Sequence, residues 1–129
     1  MNRLMKLAGA GFALALYASI AQAQVVVSSK IDTEGSVLGN IIQSVLNVNN
    51  IATTDRIQLG ATPVVRKAII AGEIDIYPEY TGNAAFFFEK GDDPLWKDAA
   101  KAYEEAKTLD YDANKIVWLS PSPANNTWG

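Results

Sequence analysis

The stretch at residues 25–31, Val-Val-Val-Ser-Ser-Lys-Ile, restricts the fold more than any other. A β-branched apolar run of this length reads as a strand buried on both faces, the pattern of parallel sheets covered by helices. A helix is predicted over 37–47, with Val37, Leu38, Ile41, Ile42, Val45 and Leu46 on one core-facing stripe. Thr33 or Ser36 is placed to cap it. Asn49-Asn50 ends the helix, 51–55 reads as a loop, and a short strand is expected over 56–59. Thr62-Pro63 is a cap followed by proline at the first helical position, and Gly72 stops that second helix. Its buried face is Val64, Val65, Ala68 and Ile69, with Ile70 at the margin. A third strand, 73–77, puts Ile74 and Ile76 on one face and Asp75 and Tyr77 on the other. The order βαβαβ implies an α/β fold, a parallel-rich sheet with right-handed crossovers.

Pro78 lacks an N–H and ends strand pairing. The loop beyond it carries Glu79, Tyr80, Thr81 and Asn83 at a strand's carboxyl end, where open α/β sheets bind ligands. Ala84-Ala85-Phe86-Phe87-Phe88 is expected as a short helix whose rings pack inward. Asp92-Asp93-Pro94 opens a helix to about Leu109, with Leu95, Trp96, Ala99, Tyr103 and Ala106 inward and a solvated charged face. A fourth strand is predicted over 115–119. Alternating prolines then hold 121–128 extended.

The first 23 residues are read apart from the fold. Arg3 and Lys6 precede an apolar run from Leu7 to Ile20 and the triplet Ala21-Gln22-Ala23, which reads as a cleavable secretory signal peptide. The run is too short for a membrane-spanning helix, so no direct membrane insertion is expected after cleavage. The leader holds two of the 11 basic residues and none of the 14 acidic ones, which leaves nine against 14, a net charge of −5. An acidic chain without a basic cluster argues against nucleic acid as a partner. There is no cysteine to staple the fold or carry a lipid. With no histidine either, the usual zinc ligands and most nucleophile–base pairs are missing, and neither metal nor cofactor is expected. About 105 residues after the leader suit one small domain, and the chain reads as cut short at Asn-Asn-Thr-Trp-Gly.

Phosphate-cradling glycine loops are absent. The carboxylate pairs Glu73/Asp75 and Asp75/Glu79 leave a secreted α/β enzyme as one alternative. The rest of the inventory suits binding. Tyr80 and Trp128 supply rings for a cation; Lys30 and the amides of residues 33–36 at a helix start suit a carboxylate. A zwitterion with a bulky cationic head matches that set.

Four segments carry a family resemblance: Ser-Ser-Lys-Ile-Asp-Thr-Glu-Gly-Ser-Val-Leu-Gly-Asn (28–40), Leu-Gly-Ala-Thr-Pro-Val-Val-Arg-Lys-Ala-Ile (59–69), Gly-Glu-Ile-Asp-Ile-Tyr-Pro-Glu-Tyr-Thr-Gly-Asn (72–83) and Pro-Ser-Pro-Ala-Asn-Asn-Thr-Trp (121–128). In order and spacing the chain resembles the OpuAC-type substrate-binding proteins of glycine betaine/choline ABC importers, in particular the YehZ (OsmF) branch. The resemblance implies a two-lobed, type II-like periplasmic binding protein that closes on its ligand. Residues 24–120 would be part of the first lobe, and 121–129 the start of the hinge crossover, with the chain truncated before the second lobe. It implies a periplasmic, non-enzymatic component of osmoprotectant uptake, with a small quaternary-amine ligand and an inner-membrane ABC permease as partners. By motif, Lys30, Thr33, Tyr80, Asn83, Asn126 and Trp128 would face the ligand, with Asn125 and Thr127 beside the crossover. Two departures stand out: Asp32-Thr33-Glu34-Gly35 where relatives often read Phe-Thr-Glu-Gln, and Asn83 where they often have threonine. The rival readings are a binding protein for another cationic or amino-acid solute such as a polyamine, the carboxylate enzyme, and a non-functional remnant.

Overall fold

The computed structural model describes residues 23–126. The expected leader lies outside them apart from Ala23, as do Thr127 and Trp128. Strand β1 (Val25–Lys30) leads to helix α1 (Thr33–Val48), strand β2 (Thr53–Gly60) and helix α2 (Thr62–Ile70). Helix α3 (Thr81–Phe87), a 3-10 turn (Pro94–Lys97) and helix α4 (Ala99–Asn114) follow. The fold is α/β. β1 and β2 pair in parallel, with Val25 opposite Thr53 and Ser28 opposite Arg56.

The apolar run at the start of the chain is the buried centre. Val27, Ser28 and Ser29 have no exposed surface, and each buried hydroxyl is satisfied. Ser28 Oγ donates to the Arg56 carbonyl at 2.8 Å, and Ser29 Oγ accepts from the Gln58 amide at 2.9 Å. The register slips between Ser28 and Lys30, where Lys30 comes opposite Gly60. Gln58 takes a left-handed φ of 60° within that slip. Such a bulge re-aims the strand's last residue. That residue is Lys30.

The expected third strand is reduced to one parallel bridge, Val27 with Ile76. A side chain takes over part of the ladder: the Val26 amide donates to Asp75 Oδ2 at 2.7 Å, while the Asp75 amide donates to the Val26 carbonyl at 2.9 Å. Tyr77, expected opposite Ile74, instead packs with Val26, Leu59 and Ile69 against the core of Val65, Ala68 and Ile74. The expected fourth strand over 115–119 does not form either. Among the described residues no strand runs beside it, and Val117 and Leu119 are exposed.

Other boundaries move for local reasons. β2 starts at Thr53, inside the expected loop, because it follows β1 along its whole length. α1 starts four residues before the expected 37–47 helix because Asp32, not Thr33 or Ser36, caps it by accepting from the Gly35 amide at 2.6 Å. Thr62 is the first residue of α2, not its cap, which is Ala61. The short apolar helix begins at Thr81, ahead of Ala84, and Phe86 is exposed; of the three phenylalanines, Phe87 and Phe88 flank Arg66. The long helix expected over 92–109 is two pieces. Asp93 caps the 3-10 turn, and Asp98 then caps α4 by accepting from the Lys101 amide at 3.0 Å.

The apolar stripe of α1 is only partly turned inward. Val37, Ile41 and Val45 are each more than half exposed, Leu38, Ile42 and Leu46 are half-buried, and the buried residues of the helix are Gly35 and Gly39. A Cβ on Gly39 would lie 3.2 Å from Ser29 Cβ and 3.3 Å from Ile57 Cγ1. The helix therefore makes its closest approach to the sheet through its glycines, and one side of the stripe is left exposed. Similarly Val64 and Ile70, expected in the buried face of α2, are about half exposed, whereas Arg66 is buried.

Arg66 is buried because Asp110, on α4, meets it with both carboxylate oxygens. Trp118 Nε1 donates to the same carboxylate at 2.7 Å and Asn114 Nδ2 at 3.1 Å. The Arg66 guanidinium lies 4.5 Å from the Phe87 ring centroid. One buried ion pair thus joins α2 and α4 and fixes the strandless segment after α4.

Burial alone would raise the Asp110 carboxyl, but hydrogen bonds from Arg66, Trp118 and Asn114 outweigh it and hold the group below its ordinary value. A depressed folded-state value gives stability that is whole above the ordinary carboxylate range and lost as pH falls through the folded value. Urea denaturation across pH should therefore show an acid limb beginning below about pH 4. Asp110→Asn should flatten that limb and cost about 3–5 kcal/mol at neutral pH, since it strands a buried guanidinium. At the α1 contact, Gly39→Val should lower stability by about 1–3 kcal/mol through overpacking. An unchanged melting temperature would contradict the close approach.

Candidate binding site

The site forms where the carboxyl end of β1 and the loop after Ile76 run side by side. The Ser28 amide donates to the Ile76 carbonyl at 2.9 Å, which sets the two backbones in register. The bulge delivers Lys30 to that edge, and Glu79 follows three residues after the bridge at Ile76. Lys30 and Glu79, 49 positions apart, form a direct ion pair with side chains only 8% and 7% exposed.

Glu79 is the hub. Besides Lys30 it accepts from the Tyr77 hydroxyl at 2.9 Å, from the Tyr80 amide at 2.8 Å and from Asn83 Nδ2 at 2.8 Å. Four donors to one carboxylate leave it fixed in place. Burial, then the adjacent Glu79 charge, pushes the Tyr77 phenol far above its ordinary value, so it remains a donor.

Tyr80 precedes α3 and points its ring along the same edge. Lys30 Nζ lies 4.8 Å from that ring's centroid. The Tyr80 hydroxyl donates to Glu34 Oε1 at 2.7 Å, and burial followed by this carboxylate pushes its phenol up to about 12. Asn126, 92 positions further on, returns to the same Glu34, its Nδ2 lying 3.3 and 3.2 Å from the two oxygens. Glu34, in the first turn of α1, thus ties the proline-rich segment to Tyr80.

Of the residues expected at the ligand, Lys30, Tyr80 and Asn83 meet around Glu79, and Asn126 joins through Glu34. Thr33 lies exposed at the start of α1, and Trp128 lies outside the described residues. The residues that hold the group together are Glu79, which the expected binding loop includes, and Glu34 and Tyr77, which were not among those expected to face the ligand. Glu79 had a signal in its place beside Tyr80 at a strand end. Glu34 had none, because its partners are 46 and 92 positions away.

Of the candidate carboxylates, Asp75 accepts from the Val26 amide and Glu79 from its four partners, while Glu73 is exposed. Among the described residues no group of acidic side chains is arranged to hold a metal ion, and no helix is long and apolar enough to cross a membrane. Chemically, the edge presents an aromatic face, two side-chain amides, a neutralised ion pair and an outward carboxylate. An open hollow of about 480 Å³ adjoins it at Asn83, lined also by Pro63, Arg66 and Phe86.

Comparison with known proteins identifies the family. Residues 23–129 match the substrate binding domain of the ABC-type glycine betaine transport system. The chain is 58% identical over 108 residues to the glycine betaine-binding protein YehZ of Escherichia coli K12, covering 84% of this chain and 35% of that protein. It is 35% identical over 129 residues to a glycine-betaine-binding protein of Pseudomonas aeruginosa PAO1, covering 99% of this chain and 40% of that one. The solved structure of apo YehZ from Escherichia coli superposes with a TM-score of 0.80 over 82% of this chain and 38% of its own. The chain thus spans between a third and two fifths of the length of these relatives. It belongs to the OpuAC family, the substrate-binding domains of ABC-type glycine betaine transport systems.

Proposed function

We propose that this chain supplies part of the binding site for a quaternary-ammonium solute of the glycine betaine/choline class, as the substrate-binding component of an ABC importer. In this reading the protein works in the periplasm after losing its leader, hands its ligand to an inner-membrane permease, and catalyses no reaction. Residues 24–120 belong to the first lobe of a two-lobed clamp, and 121–129 begin the crossover to the second.

One observation carries the reading: Tyr80 holds a cation against its ring. The ammonium of Lys30 sits 4.8 Å from the ring centroid, and the hydroxyl is anchored by Glu34, so the ring is fixed at the strand edge. A trimethylammonium group is attracted to an aromatic face by the same quadrupole, more strongly where water is excluded. The two relatives are named for glycine betaine binding, which is the solute class such a ring suits. Asn83 and Asn126 join the same network through Glu79 and Glu34. Thr33 and Trp128 enter the proposed ligand set on the resemblance of their motifs alone. The hydrogen bonds that Asp75 and Glu79 accept within the protein favour this reading over a carboxylate enzyme.

Isothermal calorimetry against glycine betaine and choline, with a Tyr80→Ala variant alongside, tests the reading. Saturable binding that weakens about tenfold or more in the variant is expected, the loss of roughly 1.4 kcal/mol or more. Absence of binding to any quaternary amine would overturn it.

A further inference from the structure

Glu34 meets two of the residues expected at the ligand, 46 and 92 positions away in the chain. Its Oε1 accepts from the Tyr80 hydroxyl at 2.7 Å and from Asn126 Nδ2 at 3.3 Å, and its Oε2 lies 3.2 Å from the same Asn126 nitrogen. Neither partner is held by a helix or strand of its own. Tyr80 sits in extended backbone just before α3, and Asn126 belongs to 121–126, which is exposed and without regular structure.

Glu34 itself stands on a rigid base. It is the second residue of α1, whose start Asp32 caps by accepting from the Gly35 amide at 2.6 Å. Gly35 is buried against the end of β1, where an added Cβ would lie 3.1 Å from the Lys30 carbonyl oxygen. The carboxylate therefore extends from a fixed helical turn, and donors from two less regular segments converge on it. One charged acceptor shared by two donors holds both at a set spacing. Its bond to Tyr80 uses the hydroxyl and leaves the ring face to other partners.

We infer that Glu34 is a positioning residue: it sets the Tyr80 ring and Asn126 at one separation and acts on ligand affinity through them, without touching the ligand. The inference rests on the reading of Tyr80 and Asn126 as ligand residues.

A double-mutant cycle in the full chain, titrated calorimetrically with glycine betaine, tests this. Glu34 is exposed, so Glu34→Ala should fold, which a thermal melt verifies. It should weaken binding about fivefold, the scale of one hydrogen bond. Tyr80→Phe keeps the ring but not the hydroxyl, and should weaken binding about threefold. In the Tyr80→Phe background Glu34→Ala should cost about twofold or less, because the main contact it removes is already gone. Glu34→Gln keeps an oxygen within reach of both donors and should recover most of the loss. Unchanged affinity in Glu34→Ala or in Tyr80→Phe would overturn the inference, as would losses that multiply in full across the pair. Binding as weak in Glu34→Gln as in Glu34→Ala would assign the effect to the charge and overturn it too. Each of these results leaves the proposed ligand class standing. No binding of glycine betaine by the unsubstituted chain would overturn that reading, and the inference with it.

Discussion

The ion pair between Lys30 and Glu79 is the interaction on which the rest of the binding edge depends. Two buried charges are expensive to desolvate, and such a pair persists only when further hydrogen bonds satisfy what remains. Glu79 meets that condition with three additional donors, Tyr77, the Tyr80 amide and Asn83. Those donors are the residues that shape the loop. The carboxylate therefore sets the backbone at Tyr80, the side chain of Asn83 and the position of the lysine over the Tyr80 ring at one stroke.

A second buried pair plays the corresponding part away from the site. Arg66 and Asp110 join α2 to α4, and Trp118 hangs the segment after α4 on the same carboxylate. Between these two fixed points the sheet is slight, two paired strands and a single bridge among the described residues, with a core of modest size around Val65, Ala68 and Ile74. Polar anchors rather than a broad apolar interior hold the ends of the elements in place. Because a buried pair costs most when one partner is removed, both anchors make the fold sensitive to single charge deletions.

Much of this was legible in the sequence because it is local. The β-branched run from Val25, the two helices that follow β1 and β2, the glycine stop at Gly72 and the loop carrying Tyr80 all rest on spacing and turn chemistry, and each appears. What failed depends on contacts between distant residues. The stripe from Val37 to Val45 has a core-like period, yet α1 approaches the sheet through Gly35 and Gly39, and periodicity cannot say which of two faces sits closer. Segment 115–119 has strand-like residues, but a strand needs a neighbour. Arg66 and Asp110 carry no local signal of burial, and only their pairing across 44 positions buries them. Within the candidate site, Lys30, Tyr80, Asn83 and Asn126 were proposed by motif and Glu79 by its loop, while Glu34 emerged only from the geometry.

The central claim is that a ligand cation settles on the Tyr80 ring. Intermolecular nuclear Overhauser effects from the N-methyl protons of bound glycine betaine test it most directly. The account predicts contacts from the N-methyl protons to the Tyr80 ring. Methyl contacts that avoid Tyr80 would contradict it.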